Sequence, residues 1–153
     1  MSARRTTGAV AGGIVAGLAI TALLMRGEKT SGTPSELVDL ERTSARKLGM
    51  ATPPADRLAA PGEQAIVQGG HLLLSAGAAL VYAAATDEDS DVLVSGIGFG
   101  LAFYTAMHWL TGPLLGVKPP EWKADAGTIG MHTLNHVGFG LATAAGARLA
   151  ARA

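Results

Sequence analysis

The chain has 153 residues, a formal net charge of zero and no cysteine. Disulfides, iron–sulfur clusters and thiolate zinc sites are therefore excluded, and no basic stripe is present to meet nucleic acid. Its 12 basic and 12 acidic side chains all fall outside four uncharged stretches, Thr6–Met25, Gln64–Thr86, Val92–Val117 and Ala126–Ala147, which run for 20, 23, 26 and 22 residues. A hydrocarbon layer about 30 Å thick needs roughly 20 helical residues, so each stretch is long enough to cross it. Alanine (29) and glycine (21) supply about a third of the chain and aromatics only 5%. Such helices pack by close backbone approach.

The first apolar run, Gly8 to Met25, follows Arg4 and Arg5. That is also the form of a signal peptide, but the run is long and no small-x-small site precedes Arg26, so an uncleaved span is expected. Gly8/Gly12 and Gly13/Gly17 are GxxxG pairs, which admit a neighbouring helix closely. Residues 26–63 are charged and proline-containing, which makes them a solvent-side connection. Within it, Thr33-Pro34-Ser35-Glu36 has the form of a capping box with proline at the first helical position, predicting a short amphipathic helix over about 34–48. Leu37, Leu40 and Leu48 give it one apolar face opposite Glu41, Arg42 and Arg46, which suits equally a helix lying on a membrane surface and a solvated helix packing on its own protein.

Thr86–Asp91 joins the second and third stretches in six residues, which predicts antiparallel neighbours. Pro113 should end or kink the third helix, because its ring clashes with the preceding turn and it lacks an N–H. Trp109 and Trp122 bracket this end, as aromatics at a bilayer interface do. Gly96-x-Gly98-x-Gly100, with Glu121 some twenty residues on, imitates a dinucleotide fingerprint; no strand precedes it, so helix packing is the better account.

Apart from Tyr82 and Tyr104, the four histidines are the only ionisable groups inside the spans, where polar side chains are costly. At 1.5 Å per residue, His71 lies roughly 9 to 10 Å into its span, His108 about 12 Å before the end of its own, and His132 and His136 about 8 and 14 Å into the last. Antiparallel threading then puts all four in one half of the bilayer, beneath the connection 26–63. His132 and His136, four apart, share a helix face. Three chemistries fit: histidines that only bond carbonyls, Ser75, Thr133 or Asn135 across helices; proton sensing or transfer by His71, His108, His132 and His136, with Ser75 and Asn135 beside them; and a transition-metal site or haem held by the same four histidines. Ser75 has only His71 as a base within its own helix, and hydrolysis is not expected.

His71, Ser75, Ala79 and Tyr82 on one helix, and His108, Pro113, Leu114, Gly116, Pro119 and Pro120 after it, match the pattern of the YagU-like family of bacterial inner-membrane proteins, which the chain resembles over about residues 70–145. That family's third motif, Glu-x-x-Gly-His, is replaced here by His132-Thr-Leu-Asn135-His136. The resemblance implies an inner-membrane protein without an established activity, associated with acid resistance.

The fold expected is all-α: one domain, a four-helix integral membrane bundle with spans at about 8–25, 65–86, 92–115 and 127–147 and the extra amphipathic helix in the first loop. The function expected is non-enzymatic, in envelope or acid-stress physiology. A metal- or haem-binding oxidoreductase subunit and an oligomeric transporter or channel component are the alternatives. No cofactor is the first expectation, and the partners are the lipid bilayer and a second copy or another membrane protein. Arg4, Arg5, Arg148 and Arg152 lie close to helix ends, which favours both termini in the cytoplasm.

Overall fold

The computed structural model describes residues 2–153, which are helical and contain no strand. Helix α1 runs Ala3–Ser31, α2 Glu36–Lys47, α3 Pro61–Ala85, α4 Val92–Leu115 and α5 Ala126–Arg152, with a short 3-10 turn at Glu121–Lys123. Three of these, α1, α3 and α4, are long and apolar enough to cross a membrane. Helix α5 has the length, at 27 residues, but His132, Asn135, His136 and three threonines dilute its apolar character, so the clear spans number three rather than four.

Helix boundaries follow local chemistry. Ser2 caps α1 by accepting from the Arg5 N–H, and the helix passes through Arg26, Glu28 and Lys29 to stop at Gly32, whose φ of 72° is left-handed. It thus overruns the expected end at residue 25, because nothing before Gly32 breaks it. Pro61 opens α3 at its first turn, four residues ahead of the expected start, and Asp125 caps α5 through the N–H groups of Gly127 and Thr128. The capping box does not form: Ser35 is the N-cap of α2, without a side-chain bond, and Pro34 precedes it. Glu36 is thereby released for another role.

Pro113 does not end α4. Instead the helix widens to π geometry over Thr105–Thr111, with the Gly112 N–H reaching the Met107 carbonyl, and continues to Leu115 before Gly116 turns it off at φ 62°. Shifting the bonding register one residue before the proline is a way to absorb its missing donor and its ring.

Glycines set the packing. Helix α5 lies antiparallel between α1 and α4: a Cβ on Gly8 would fall 2.3 Å from the Gly146 carbonyl oxygen, and one on Gly12 2.3 Å from that of Ala142. On the other side, a Cβ on Gly100 would meet the His136 carbonyl at 2.4 Å. Gly13 and Gly17 face Ala79 and Ser75 of α3 in the same manner. Both GxxxG pairs are therefore consumed inside one chain. The α3–α4 hairpin is looser, its backbones spaced by rings: Tyr82 and Phe99 pack edge to face at 5.3 Å, and the Tyr82 hydroxyl meets Ser95 Oγ at 2.8 Å.

Candidate ionic and histidine site

The end of the bundle that carries α2 and the loop Gly116–Asp125 holds the densest set of ionisable side chains. Lys118 and Glu121 come from that loop, Glu36 from the first turn of α2, His108 from the π segment of α4, and His132 and His136 from the second and third turns of α5. Glu121 is 1% exposed. Its Oε1 accepts from the Tyr104 hydroxyl at 2.9 Å and lies 2.6 Å from His132 Nδ1, while its Oε2 accepts from Lys118 Nζ at 2.9 Å. Lys118 Nζ also reaches Glu36 Oε1 at 2.6 Å, and Glu36 Oε2 lies 2.5 Å from His132 Nε2. That last contact is close enough for an ion pair yet off the line of a hydrogen bond, leaving Nε2 without an aligned partner.

Glu36, Lys118, Glu121 and His132 thus close a ring. Burying a lone carboxylate is prohibitive, and burial alone would raise both carboxyl pKa values. Contacts with His132 and Lys118 overcome that penalty and hold both Glu36 and Glu121 at about 2. With Lys118 and a doubly protonated His132, the ring carries two charges of each sign. His108 lies beside it: Lys118 Nζ is 2.7 Å from His108 Nδ1. An ammonium only donates, so that nitrogen is the acceptor and the His108 proton is assigned to Nε2.

Three of the four histidines meet here. The rings of His108 and His132 are 4.3 Å apart and those of His108 and His136 4.9 Å. His71 does not join them. Its Nδ1 pairs with Thr21 Oγ1 of α1 at 3.2 Å, and its ring faces a cavity that His108, His132, His136, Ser75 and Asn135 also line. The four histidines therefore do not form one metal-ligating set. The donor group that does gather, within 4.8 Å, is Glu36, His108 and His132, and the Lys118 ammonium already sits against two of its members. A haem between His108 and either His132 or His136 is excluded by spacing. Two axial bonds of about 2 Å hold their nitrogens about 4 Å apart, and the ring centres further still.

Glu36, Lys118 and Glu121 are the site residues that sequence reasoning missed. Glu36 was absorbed into a capping box and Glu121 into a rejected nucleotide motif. The usable signal was two prolines, Pro119 and Pro120, stiffening a loop whose Lys118 and Glu121 are three apart. Helix α2 packs on its own protein, and Arg42, expected on its polar face, is 1% exposed and pairs with Glu63 at 2.6 and 3.0 Å while donating to the Pro54 carbonyl. Leu37 and Leu40 turn into the cavity. No family model, curated protein or solved structure matches this chain.

Proposed function

We propose that the chain is a non-enzymatic, multi-pass protein of a bacterial inner membrane, in which a buried ionic ring latches the surface helix α2 onto four spanning helices and acid releases it. The observation that carries this reading is Glu36: the one ring member on α2, it is held by Lys118 at 2.6 Å and His132 at 2.5 Å. Helix α5 completes the four spans, since its uncharged stretch Ala126–Ala147 has the length and His132, Asn135 and His136 face the ring and the cavity. Both termini lie inside, by the arginines flanking the first and last spans. The ring then opens toward the outer face, where environmental acid reaches it. The motif resemblance to YagU-like proteins, associated with acid resistance, agrees with that placement.

The charged neighbours fix the direction of the response. Glu36 faces Lys118, His132 and, at 4.0 Å, His108; Glu121 faces Lys118, His132, Tyr104 and, at 3.5 Å, His108. Both carboxyls titrate below their ordinary value of 4.5, near 2, so the latch is fully made above about 4.5 and is lost as pH falls toward 2. Protonation leaves Lys118 and His132 without counter-charge and drives α2 away.

Because the chain has no cysteine, spin labels at Leu48→Cys on the end of α2 and Ala65→Cys on α3 report this motion by pulsed electron resonance in lipid nanodiscs. A narrow distance distribution at pH 7 should broaden and lengthen at pH 2, and Glu36→Gln should broaden it already at pH 7. Identical distributions at both pH values would refute the latch.

A further inference from the structure

Beneath α2 lies a cavity of about 290 Å³, near the lower limit of roughly 300 Å³ for sites that bury small molecules. Its walls are mostly apolar, with Leu37, Leu74, Met107 and Phe139 among them, and the π segment of α4 forms one side. π-helical turns inside α-helices recur at functional sites. Two imidazoles, His71 and His136, face this apolar space, and their protons can be assigned from the groups behind them.

For His136, Nδ1 lies 2.8 Å from the His132 backbone carbonyl. A carbonyl only accepts, so Nδ1 carries the hydrogen and Nε2 holds a lone pair. For His71 the assignment comes through a relay. The buried Glu28 carboxylate accepts from Gln64 Nε2 at 2.5 Å; Gln64 Oε1 accepts from Gln68 Nε2 at 3.1 Å; Gln68 Oε1 accepts from the Thr21 hydroxyl at 2.9 Å. Having spent its one hydrogen, Thr21 Oγ1 accepts from His71 Nδ1. His71 Nε2 is thus also a lone pair. Ser75 adds no donor, because its hydroxyl hydrogen goes to the His71 carbonyl at 2.9 Å. Of the polar side chains in the lining, His71, Ser75 and His136 thus offer acceptors and no free donor, whereas Asn135, Lys118 and the His108 Nε2–H are donors.

We infer that this cavity binds a small lipophilic molecule whose polar head donates a hydrogen bond, an alcohol or phenol, received by the Nε2 atoms of His71 and His136. A head that only accepts, such as an ether or ester, meets lone pairs at these two atoms and gains nothing from them. The inference does not rest on the acid latch, since it concerns the closed form at neutral pH.

The probes are 4-hexylphenol and 4-hexylanisole, equal in ring and chain and differing in the one donor. They are measured by equilibrium dialysis at pH 7 against the full chain in nanodiscs, with empty nanodiscs subtracted. The phenol should bind saturably, one per chain, and the anisole about tenfold more weakly, as one net hydrogen bond of roughly 1.4 kcal/mol requires. His71→Leu and His136→Leu should each abolish most of that preference, and Leu40→Trp, which fills the cavity from α2 and spares both histidines, should abolish binding. Side-chain ¹⁵N shifts of the unaltered protein should show both histidines protonated on Nδ1. Equal affinity for the two probes, a preference that survives both histidine variants, or Nε2-protonated rings would overturn the assignment. So would one zinc ion per chain displacing the phenol, which would make the two imidazoles metal ligands instead.

Discussion

Glu121 follows two prolines in a loop, yet it is one of the most deeply buried side chains in the molecule, and its neighbours explain how. The carboxylate receives a tyrosine hydroxyl, an ammonium and an imidazole at 2.9, 2.9 and 2.6 Å, enough to replace the water it gives up. Removing the charge leaves Lys118 and His132 short of a counter-ion, so Glu121→Gln should lower stability by about 3 kcal/mol at pH 7, measured by thermal unfolding in detergent. The same variant should lose less than the unaltered protein between pH 4.5 and pH 2, because the carboxyl that titrates in that window near pH 2 is gone. An unchanged acid limb would show that this carboxyl does not carry the pH response.

At the scale of elements, glycine placement decides which helices touch. Gly96, Gly100 and Gly140 let α4 and α5 approach until a Cβ on Gly140 would stand 2.1 Å from the Gly96 carbonyl, whereas Gly98, between them in sequence, faces open space. Gly100→Ala and Gly140→Ala should therefore each cost about 1 to 3 kcal/mol through forced separation of the helices. Gly98→Ala should be neutral or slightly stabilising, since it only exchanges a poor helix former for a good one. Parallel thermal unfolding of the three variants distinguishes these outcomes, and equal losses would contradict the packing described.

The whole molecule combines two solvents. Exposed leucines and valines, among them Leu73, Val81, Leu93 and Val94, cover the outside of helices whose inward faces are alanine and glycine, an arrangement suited to lipid contact. The chain should stay with the membrane pellet after alkaline carbonate extraction, and single cysteines placed at Ser2 and Ala153 should be shielded from an impermeant maleimide in intact cells, while one at Lys123 reacts. Labelling of the termini instead would invert the molecule and place the ionic ring on the cytoplasmic side.

Four uncharged stretches, their lengths and the placement of Gly, Pro and Ser were enough to predict helices over the right parts of the chain, because helix formation and span length are set by local pattern and by hydrocarbon thickness. The depth arithmetic likewise placed the histidines toward one end. What it missed was which side chains complete the site. Glu36 and His132 are 96 positions apart and meet only because α2 folds back over the open end of the bundle. His71 sits at a depth similar to the other histidines but turns toward Thr21, a matter of helix rotation that periodicity in an alanine- and glycine-rich segment leaves undefined. Partner choice among helices, and so the ring and the cavity, was decided by close approach at individual glycines, a contact energy that exists only once the helices are side by side.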